Sequence, residues 1–389
     1  MIWRLLSLFL LLLYLPCRAQ TQKENEYTIN TAPRSEIKAL GNRLFSPLRI
    51  IHIGDSHLQS GYLADEVRKT IEKNYPLAGY GAITPYRIAG TNAPESYSYT
   101  SPEKWIDCRL SYTNSCIPMS PTCITIKRNG ASFSFNIKCF RYPFNTIVYF
   151  RETFSPPLKI KGEKAAYIVG TSERAGMVAD TLILPSSKRE VTLIPSKSTS
   201  KTYTYGGAVL MDSHEELFPF VRPVLYSSIA LNGAMYANYD RDEVSKSLSL
   251  LHPHIIIISL GTNESLSPRF NSEEFQRQAD RLVHRLSNEM PTATIVLTSP
   301  PASFNLRKTF NSNTQKVSAA LEYISKKYHC LYYDLYRGMG EREGAIRRRK
   351  TGEYYNRDGI HFTIKGYQEL GTLIANYLLG VINEMQQVK

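Results

Sequence analysis

The chain has 389 residues, with 47 Lys and Arg against 34 Asp and Glu, so its formal net charge is +13. Its hydrophobic share of 42% and charged share of 21% are those of a globular protein, which excludes a fibrous or low-complexity chain. The length exceeds one usual compact domain, and two structural units are expected. The basic balance favours contact with anionic surfaces such as cell wall or acidic glycans, with a merely solvated basic surface as the alternative.

Residues 1–19 predict a secretory signal peptide. Arg4 gives a positive start, residues 5–15 are an apolar run, and Ala19 stands at the expected cleavage edge. Removal of Arg4 and Arg18 leaves a charge of 13 − 2 = +11. Export to the periplasm or the medium disfavours nucleic acid as a partner. No other stretch is apolar enough to span a membrane, so no stable membrane insertion is expected.

Five cysteines follow the predicted signal, and four of them crowd between residues 108 and 139. An oxidising compartment permits disulfides there, although the pairing stays open. Paired CxxC spacing and neighbouring histidines are absent from that region, so we expect no structural zinc and no other metal or cofactor. The five are Cys108, Cys116, Cys123, Cys139 and Cys330.

The two ends of the chain alternate predicted strands and helices. Residues 48–53 form an apolar, β-prone run, and Leu63, Val67 and Ile71 then recur at helical spacing. Further strands are predicted at 255–258, 294–297 and 331–333, and helices at 275–286, 317–324 and 370–377. This alternation predicts a parallel sheet covered on both faces. The basic run 347–350 is interpreted as an exposed loop.

Residues 96–222 follow a different pattern. Period-two alternation at 123–127 and 131–135 flanks Asn129-Gly130, which predicts a β-hairpin. More short strands are predicted at 146–150, 158–160, 181–184, 191–194 and 202–205. The pattern indicates an all-β sandwich inserted into an α/β domain whose two parts are residues 20–95 and 223–389.

Ser56 occupies a position suited to nucleophilic chemistry. It follows the first buried strand and precedes a helix, at the sheet edge where open α/β folds bind ligands. The helix N-terminus favours negative charge that develops there. Acyl transfer also requires an imidazole base, a carboxylate that orients it and donors for an oxyanion.

Four segments together resemble blocks of the SGNH, or GDSL-like, hydrolases, in the family's order. They are Gly54-Asp55-Ser56-His57, residues 224–234, Gly261-Thr262-Asn263-Glu264 and Asp358-Gly359-Ile360-His361. Two positions depart from the pattern, because His57 stands where many members have Leu and Glu264 replaces the more usual Asp. The resemblance implies a flavodoxin-like three-layer α/β fold with a parallel sheet, here interrupted by the all-β sandwich.

The same resemblance implies a role for each matching residue. Ser56 is expected to be the nucleophile, His361 its base, and Asp358 the carboxylate that holds the imidazole. The N–H groups of Ser56 and Gly233 and the side-chain amide of Asn263 are expected to hold the oxyanion.

Purely structural alternatives exist for these positions. Ser56 is also a suitable helix cap, Gly233 a turn glycine and Asn263 an Asx-turn residue. For His57 a hydrogen bond behind the catalytic residues and a plain structural role are both open. Asp55 is expected to brace the nucleophile turn.

The arrangement as a whole resembles bacterial peptidoglycan O-acetylesterases, in which a carbohydrate-binding module interrupts an SGNH domain. It implies an exported esterase that removes acetyl groups from peptidoglycan or another polysaccharide held by the insert. Residues 79–94 are interpreted as a loop near the active-site mouth, and Trp105 offers either a face for sugars or core packing. Two alternatives are an O-acetyltransferase with the same triad and a catalytically inactive wall-binding protein.

Overall fold

The computed structural model describes residues 47–111, 120–129, 132–138, 143–163, 167–196, 202–212, 221–305 and 308–386. The predicted signal peptide at 1–19 lies outside the described residues, as do Cys116 and Cys139. Cys108 is disulfide-bonded, whereas Cys123 and Cys330 are buried thiols that form no disulfide within the described residues.

Five parallel strands form the first sheet, in the order β13-β1-β14-β15-β16. Numbered by their succession within this sheet, that order is 2-1-3-4-5, the flavodoxin-like arrangement. Continuous apolar runs produce these strands because both faces of the sheet are buried. The strands are β1 (Leu48–Gly54), β13 (Val224–Ala230), β14 (Ile255–Ser259), β15 (Thr294–Thr298) and β16 (Leu331–Tyr333).

Helices cover both faces of this sheet. On one face α2 and α10 pack against Leu48 and Ile50 of β1. On the other, α6 and α7 share a core with Ile51 and Ile53. The helices are α1 (Ser56–Gln59), α2 (Tyr62–Glu72), α3 (Tyr236–Tyr239), α4 (Asp242–Ser249), α5 (Thr262–Ser265), α6 (Ser272–Glu289), α7 (Asn313–Lys327), α8 (Leu335–Gly338), α9 (Glu341–Thr351) and α10 (Ile364–Gln386).

Two antiparallel sheets form the remainder of the fold. A seven-stranded sheet has the order β4-β5-β12-β7-β10-β9 with β2 paired to β12, and a four-stranded sheet has the order β3-β6-β11-β8. Their strands are β2 (Gly81–Ile83), β3 (Tyr97–Thr100), β4 (Ile106–Arg109), β5 (Ile124–Asn129), β6 (Phe133–Ile137), β7 (Phe144–Glu152), β8 (Leu158–Ile160), β9 (Tyr167–Arg174), β10 (Met177–Lys188), β11 (Glu190–Pro195) and β12 (Thr202–Met211).

Aromatic side chains join these two sheets face to face. Tyr205 of the larger sheet contacts the ring of Phe133 at 4.4 Å between centroids, and its hydroxyl lies 2.8 Å from that of Tyr99. Phe135 packs on Phe144 across the same interface. The predicted sandwich and the α/β class are therefore confirmed, whereas the domain boundaries at 95/96 and 222/223 stay a prediction.

The hairpin predicted around Asn129-Gly130 is wrong. Strand β5 pairs with β4 and β12 in the larger sheet, whereas β6 pairs with β3 and β11 in the smaller one. The two strands therefore do not pair with each other, and Gly130 lies outside the described residues. Trp105 packs edge-on against Phe133 and donates to Ser101 Oγ at 2.9 Å, so it belongs to the packing of the sandwich.

Two further expectations differ from the structure. The basic run 347–350, expected in a loop, lies in α9, where Arg348 pairs with Glu369 of α10. The predicted loop at 79–94 contains strand β2, which pairs with β12. No helix in the described part of the chain is both long and apolar enough to span a bilayer.

Gly81 allows β2 to approach β13 closely. Its φ is +84°, and a Cβ atom there would stand 2.2 Å from the carbonyl oxygen of Tyr226. The next residue, Ala82, donates its N–H to Ser227 Oγ at 3.1 Å. The antiparallel and parallel sheets therefore meet at a position that only glycine fits.

We predict that Gly81→Ala destabilises the protein more than Gly162→Ala does. Gly162 has a similar φ of +79° but open space around it, so its substitution costs only backbone strain, about 1–3 kcal/mol. Gly81→Ala adds a clash with backbone that cannot move without displacing β13. Thermal unfolding of both variants measures the difference, and equal melting temperatures would contradict the close approach.

Candidate active site

Three strands of the parallel sheet end at the same level. Gly54, the last residue of β1, stands opposite Ala230 of β13 and Ser259 of β14. The chain passes from β1 to β13 on one side of it and later to β14 on its other side. The strand order therefore reverses at β1, which makes this edge a topological switch point, where open α/β sheets bind ligands. The segments after the three strands carry most of the sequence-predicted site residues.

Ser56 is the first residue of α1 and follows β1 through a single residue, Asp55. Asp55 is extended and caps α1, because its Oδ1 accepts the His57 N–H at 3.0 Å. Ser56 is half-buried. Within the described part of the chain its N–H donates to no acceptor, as the geometry of a helix N-terminus leads one to expect.

The turn that carries Asp358 and His361 joins α9 to α10. Asp358 Oδ1 accepts the backbone N–H groups of Ile360 at 2.8 Å and His361 at 2.9 Å, and Asn356 N–H donates to His361 O. Asp358 Oδ2 lies 2.7 Å from His361 Nδ1. The turn thus presents the imidazole with its Nδ1 held by a carboxylate.

Ser56 and His361 lie together although 305 residues separate them. Ser56 Oγ is 3.0 Å from His361 Nε2. Partial burial alone would raise the pKa of Asp358, but hydrogen bonds from the His361 ring and from the backbone of Ile360 and His361 lower it. The carboxylate therefore stays ionised at neutral pH and accepts from Nδ1–H, which leaves a lone pair on Nε2 facing the hydroxyl.

Gly233 lies in the turn between β13 and α3. Its φ is +73°, and a Cβ atom at this position would meet nothing within 4 Å, so the residue faces open space. Among the described residues, no group accepts a hydrogen bond from its N–H. The N–H groups of Ser56 and Gly233 are thus both available to a ligand.

Asn263 follows β14 and lies in α5. Its Nδ2 donates to Ala234 O at 2.9 Å and contacts Asp55 Oδ2 at 3.4 Å. The second contact is long for a hydrogen bond, so this proton is the weakly held one of the amide. The amide therefore links the nucleophile turn to the turn that contains Gly233.

Two buried carboxyl groups flank Asn263. Burial raises the pKa of Asp55 to about 6, although the His57 N–H, the charge of His361 and the Thr262 hydroxyl act in the opposite direction. Burial raises the pKa of Glu264 to about 7, against the hydrogen bond from the Tyr236 N–H. Glu264 Oε1 accepts that N–H at 2.7 Å, whereas Oε2 is buried without a partner among the described residues.

His57 is buried against the imidazole of His361. The two ring centroids lie 5.6 Å apart, and His57 Nδ1 is 3.3 Å from the Tyr367 hydroxyl. Burial and the neighbouring charge of His361 lower the pKa of His57 to about 3. His57 is therefore neutral at physiological pH and adds no positive charge beside His361.

Gln59 lies beside these residues and was not predicted from the sequence, whereas Asn92 belongs to the segment 79–94 expected near the active-site mouth. Gln59 is 1% exposed, and its side chain bonds Thr91 Oγ1, Asn92 O and the Asn232 N–H. Asn232 Nδ2 in turn donates to Asn92 Oδ1 at 2.9 Å. One signal was present, since Gln59 is a polar residue one helical turn after Ser56, on the buried side of α1.

The described residues contain no group of three His, Cys, Asp or Glu side chains that would hold a metal ion. The arrangement around Ser56 instead consists of a hydroxyl, an imidazole, a carboxylate and free N–H donors.

We predict that Glu264→Gln raises the melting temperature at pH 8 and leaves it nearly unchanged at pH 4. The wild-type carboxyl has a pKa of about 7 in the folded chain, above the ordinary 4.5, so its contribution to stability falls as the pH rises between these values. The amide oxygen of the substituted glutamine can still accept the Tyr236 N–H, but the side chain carries no negative charge. The expected gain is on the order of 2–4 °C, the shift that 1 kcal/mol produces in domains of 150–250 residues.

The matched control for this measurement is Glu274→Gln. Glu274 is exposed on α6 and its bond to Arg277 lowers its pKa, so neutralising it should give no gain at pH 8. An equal gain in both variants would point to a general charge effect and refute the burial explanation.

Comparison with known proteins adds independent information. Residues 207–369 match the model of the GDSL-like Lipase/Acylhydrolase family. No curated protein sequence matches the chain. Among solved structures, a peptidoglycan O-acetylesterase is 17% identical, aligns over 91% of this chain and 96% of its own, and has a TM-score of 0.72.

Two other solved structures show weaker likeness. A GDSL-like lipase from Bacteroides thetaiotaomicron is 19% identical over 40% of this chain and 76% of its own, with a TM-score of 0.32. A family two carbohydrate esterase from Cellvibrio japonicus is 10% identical over 75% and 99%, with a TM-score of 0.33. At these scores neither structure adds to the assignment of the fold.

The match to the family model covers Gly233, Asn263, Asp358 and His361 but begins after Ser56. The TM-score of 0.72 shows that this chain and the O-acetylesterase share a fold over nearly their full lengths. Residues 207–369 are therefore similar to the GDSL-like acylhydrolases, which the four sequence blocks also resemble in their order.

Proposed function

We propose that the chain hydrolyses O-acetyl or other short acyl esters on peptidoglycan or another polysaccharide, with Ser56, His361 and Asp358 as catalytic residues. The contact of 3.0 Å between Ser56 Oγ and His361 Nε2 carries this proposal. With the 2.7 Å contact to Asp358, it forms an unbroken path of donors and acceptors from hydroxyl to carboxylate.

The chemistry follows from that path. His361 Nε2 takes the Ser56 proton while Oγ attacks the ester carbonyl carbon, and Asp358 stabilises the imidazolium that forms. The tetrahedral intermediate expels the sugar oxygen, which takes the proton from His361 and leaves an acyl group on Ser56. Water, deprotonated by His361, then attacks this acyl-enzyme, and acetate leaves as Ser56 regains its proton.

Three donors are suited to the oxyanion. The free N–H groups of Ser56 and Gly233 supply two, and the weakly held proton of the Asn263 amide supplies the third. A developing negative charge is a stronger acceptor than the distant Asp55 oxygen, so this proton is expected to shift to the oxyanion during the reaction.

The exposure of the catalytic turn supports a large substrate. The side chains of His361 and Asp358 are 38% and 39% exposed, although they are the proposed base and its partner. A polymer can approach such a site without first entering a deep cavity. The net charge, 13 − 2 = +11 after loss of the predicted signal peptide, further supports an anionic polymer such as cell wall. A solved structure of the same fold is a peptidoglycan O-acetylesterase.

Export is part of the proposal, since a wall polymer lies outside the cytoplasm. The positive start and apolar run within residues 1–19 support export to the periplasm or the medium. We further propose that the β-sandwich helps to hold the glycan.

The two alternatives from the sequence predict different products. An O-acetyltransferase would pass the acyl group from Ser56 to a sugar hydroxyl, but the exposed base leaves water free to compete, which supports hydrolysis. Incubation with an activated acetyl ester and a chito-oligosaccharide separates the two, because transfer yields acetylated sugar. An inactive wall-binding protein would bind peptidoglycan and hydrolyse no acetyl ester.

We predict that the purified protein releases acetate from O-acetylated peptidoglycan and that Ser56→Ala abolishes this release while leaving the circular dichroism spectrum intact. The variant removes only the attacking oxygen. Peptidoglycan de-acetylated by mild base serves as the substrate blank, and acetylated plant glycan tests the choice of polymer. Activity retained in Ser56→Ala would refute the assigned nucleophile.

Asn263→Ala is expected to lower kcat by about 10²–10³, the usual effect of losing one oxyanion donor. Asn288→Ala is the matched control, because its amide contacts His284 on the exposed surface of α6. Steady-state kinetics with a small activated acetyl ester measure both. Unchanged kcat in Asn263→Ala, with protein that unfolds at the wild-type temperature, would remove Asn263 from the oxyanion hole.

A further inference from the structure

The turn that carries Gly233 is not fixed by packing at the glycine itself. A Cβ atom at Gly233 would meet nothing within 4 Å, and the neighbouring Met235 is exposed. An oxyanion donor nevertheless needs a fixed position, because catalysis by preorganised N–H groups depends on where these groups lie. The contacts that hold this turn must therefore lie on either side of the glycine.

Gln59 makes the contact on the N-terminal side. Its Oε1 accepts the N–H of Asn232, the residue before Gly233, at 2.5 Å. Its Nε2 donates to Thr91 Oγ1 at 3.1 Å and to Asn92 O at 2.7 Å. Both amide protons and the carbonyl oxygen are engaged, and the residue is 1% exposed, so the side chain has a single defined orientation.

Glu264 makes the contact on the C-terminal side. Its Oε1 accepts the N–H of Tyr236, three residues after Gly233, at 2.7 Å. The residue is 7% exposed, and its other oxygen has no partner among the described residues. The hydrogen bond to the Tyr236 N–H thus links this buried carboxyl directly to the Gly233 turn.

We propose that Gln59 and Glu264 are positioning residues that hold the backbone on both sides of Gly233 and so aim its N–H at the oxyanion. This inference rests on the proposed function, which makes Gly233 a donor, and extends it to two residues that do not touch the substrate. Thr91 and Asn92, in the segment before the β-sandwich, accept hydrogen bonds from Gln59 and so fix its orientation.

The location of each residue makes the hold specific to the site. Gln59 lies three residues after Ser56 on α1, so it connects the nucleophile helix to the Gly233 turn. Glu264 follows Asn263 on α5, so it connects the amide donor to the same turn. Together with the Asn263 amide, which donates to Ala234 O, these two side chains connect the elements that carry the three proposed oxyanion donors.

A general role in stability makes a different prediction from a positioning role. Loss of a buried hydrogen bond lowers the melting temperature wherever it lies. Loss of a positioning contact also lowers kcat in the protein that remains folded, since a displacement of 1 Å can cost about 10²-fold in rate. KM for a small acetyl ester should stay unchanged, because neither residue contacts it.

The test compares four variants of the full chain: Gln59→Leu, Glu264→Leu, Glu264→Gln and, as the matched control, Gln278→Leu. The first two remove the acceptor at nearly constant volume. Glu264→Gln keeps an oxygen for the Tyr236 N–H and should restore kcat. Gln278 donates to Glu274 within α6, so its substitution removes a hydrogen bond that does not involve the Gly233 turn and should leave kcat unchanged. Each variant is assayed for kcat and KM on an activated acetyl ester and for its melting temperature.

We expect kcat to fall about 10- to 100-fold in Gln59→Leu and Glu264→Leu, at constant KM and with an unaltered pH profile. Glu264→Gln and Gln278→Leu should keep a kcat near that of the wild type. Wild-type kcat in both leucine variants, or a rise in KM alone, would overturn the inference. If one leucine variant does not fold, the other decides. Ser56→Ala, assayed beside them, separates the outcomes, because activity in that variant would defeat the proposed function instead.

Discussion

The parallel register of β1 with its two neighbours is the constraint on which the site depends. Gly54 stands level with Ala230 and with Ser259, so the chain leaves all three strands at one edge. A slip of one residue in either pairing would turn the following segment to the opposite face of the sheet. Since both faces of the sheet are buried, specific contacts oppose such a slip: His52 of β1 bonds the Tyr226 hydroxyl of β13 and Ser259 Oγ of β14, each at 2.6 Å.

The proposed base reaches this edge by a separate route. His361 precedes α10, which packs along α2, and α2 begins shortly after Ser56. The helices approach so closely at Gly371 that a Cβ atom there would stand 2.7 Å from Leu63 O. Helix packing on one face of the sheet therefore sets the distance between hydroxyl and imidazole, whereas strand register sets the positions of the oxyanion donors.

Sequence reasoning succeeded where the determining interactions are local or repeated. Continuous apolar runs predicted the strands of the parallel sheet, and motif blocks predicted which residues lie around Ser56. It failed for the Asn129-Gly130 hairpin, because distant partners in two sheets determine the pairing of β5 and β6. It also missed β2, which has three residues and pairs with β12 far along the chain. Gln59 was not predicted for the same reason, since its hydrogen-bond partners come close to it only in the folded chain.

The segment around β2 has a further consequence for the architecture. Strand β13 ends the parallel sheet, yet Ala78 N–H bonds Val224 O, Ala82 N–H bonds Ser227, and β2 simultaneously pairs with β12 of the sandwich. An uncovered edge strand can pair with another molecule and so promote aggregation. The segment around β2 covers this edge and opposes such pairing. The sandwich therefore cannot be removed without affecting the parallel sheet. Its removal would take away β12, the partner of β2, and leave an edge of the parallel sheet that can pair with other molecules.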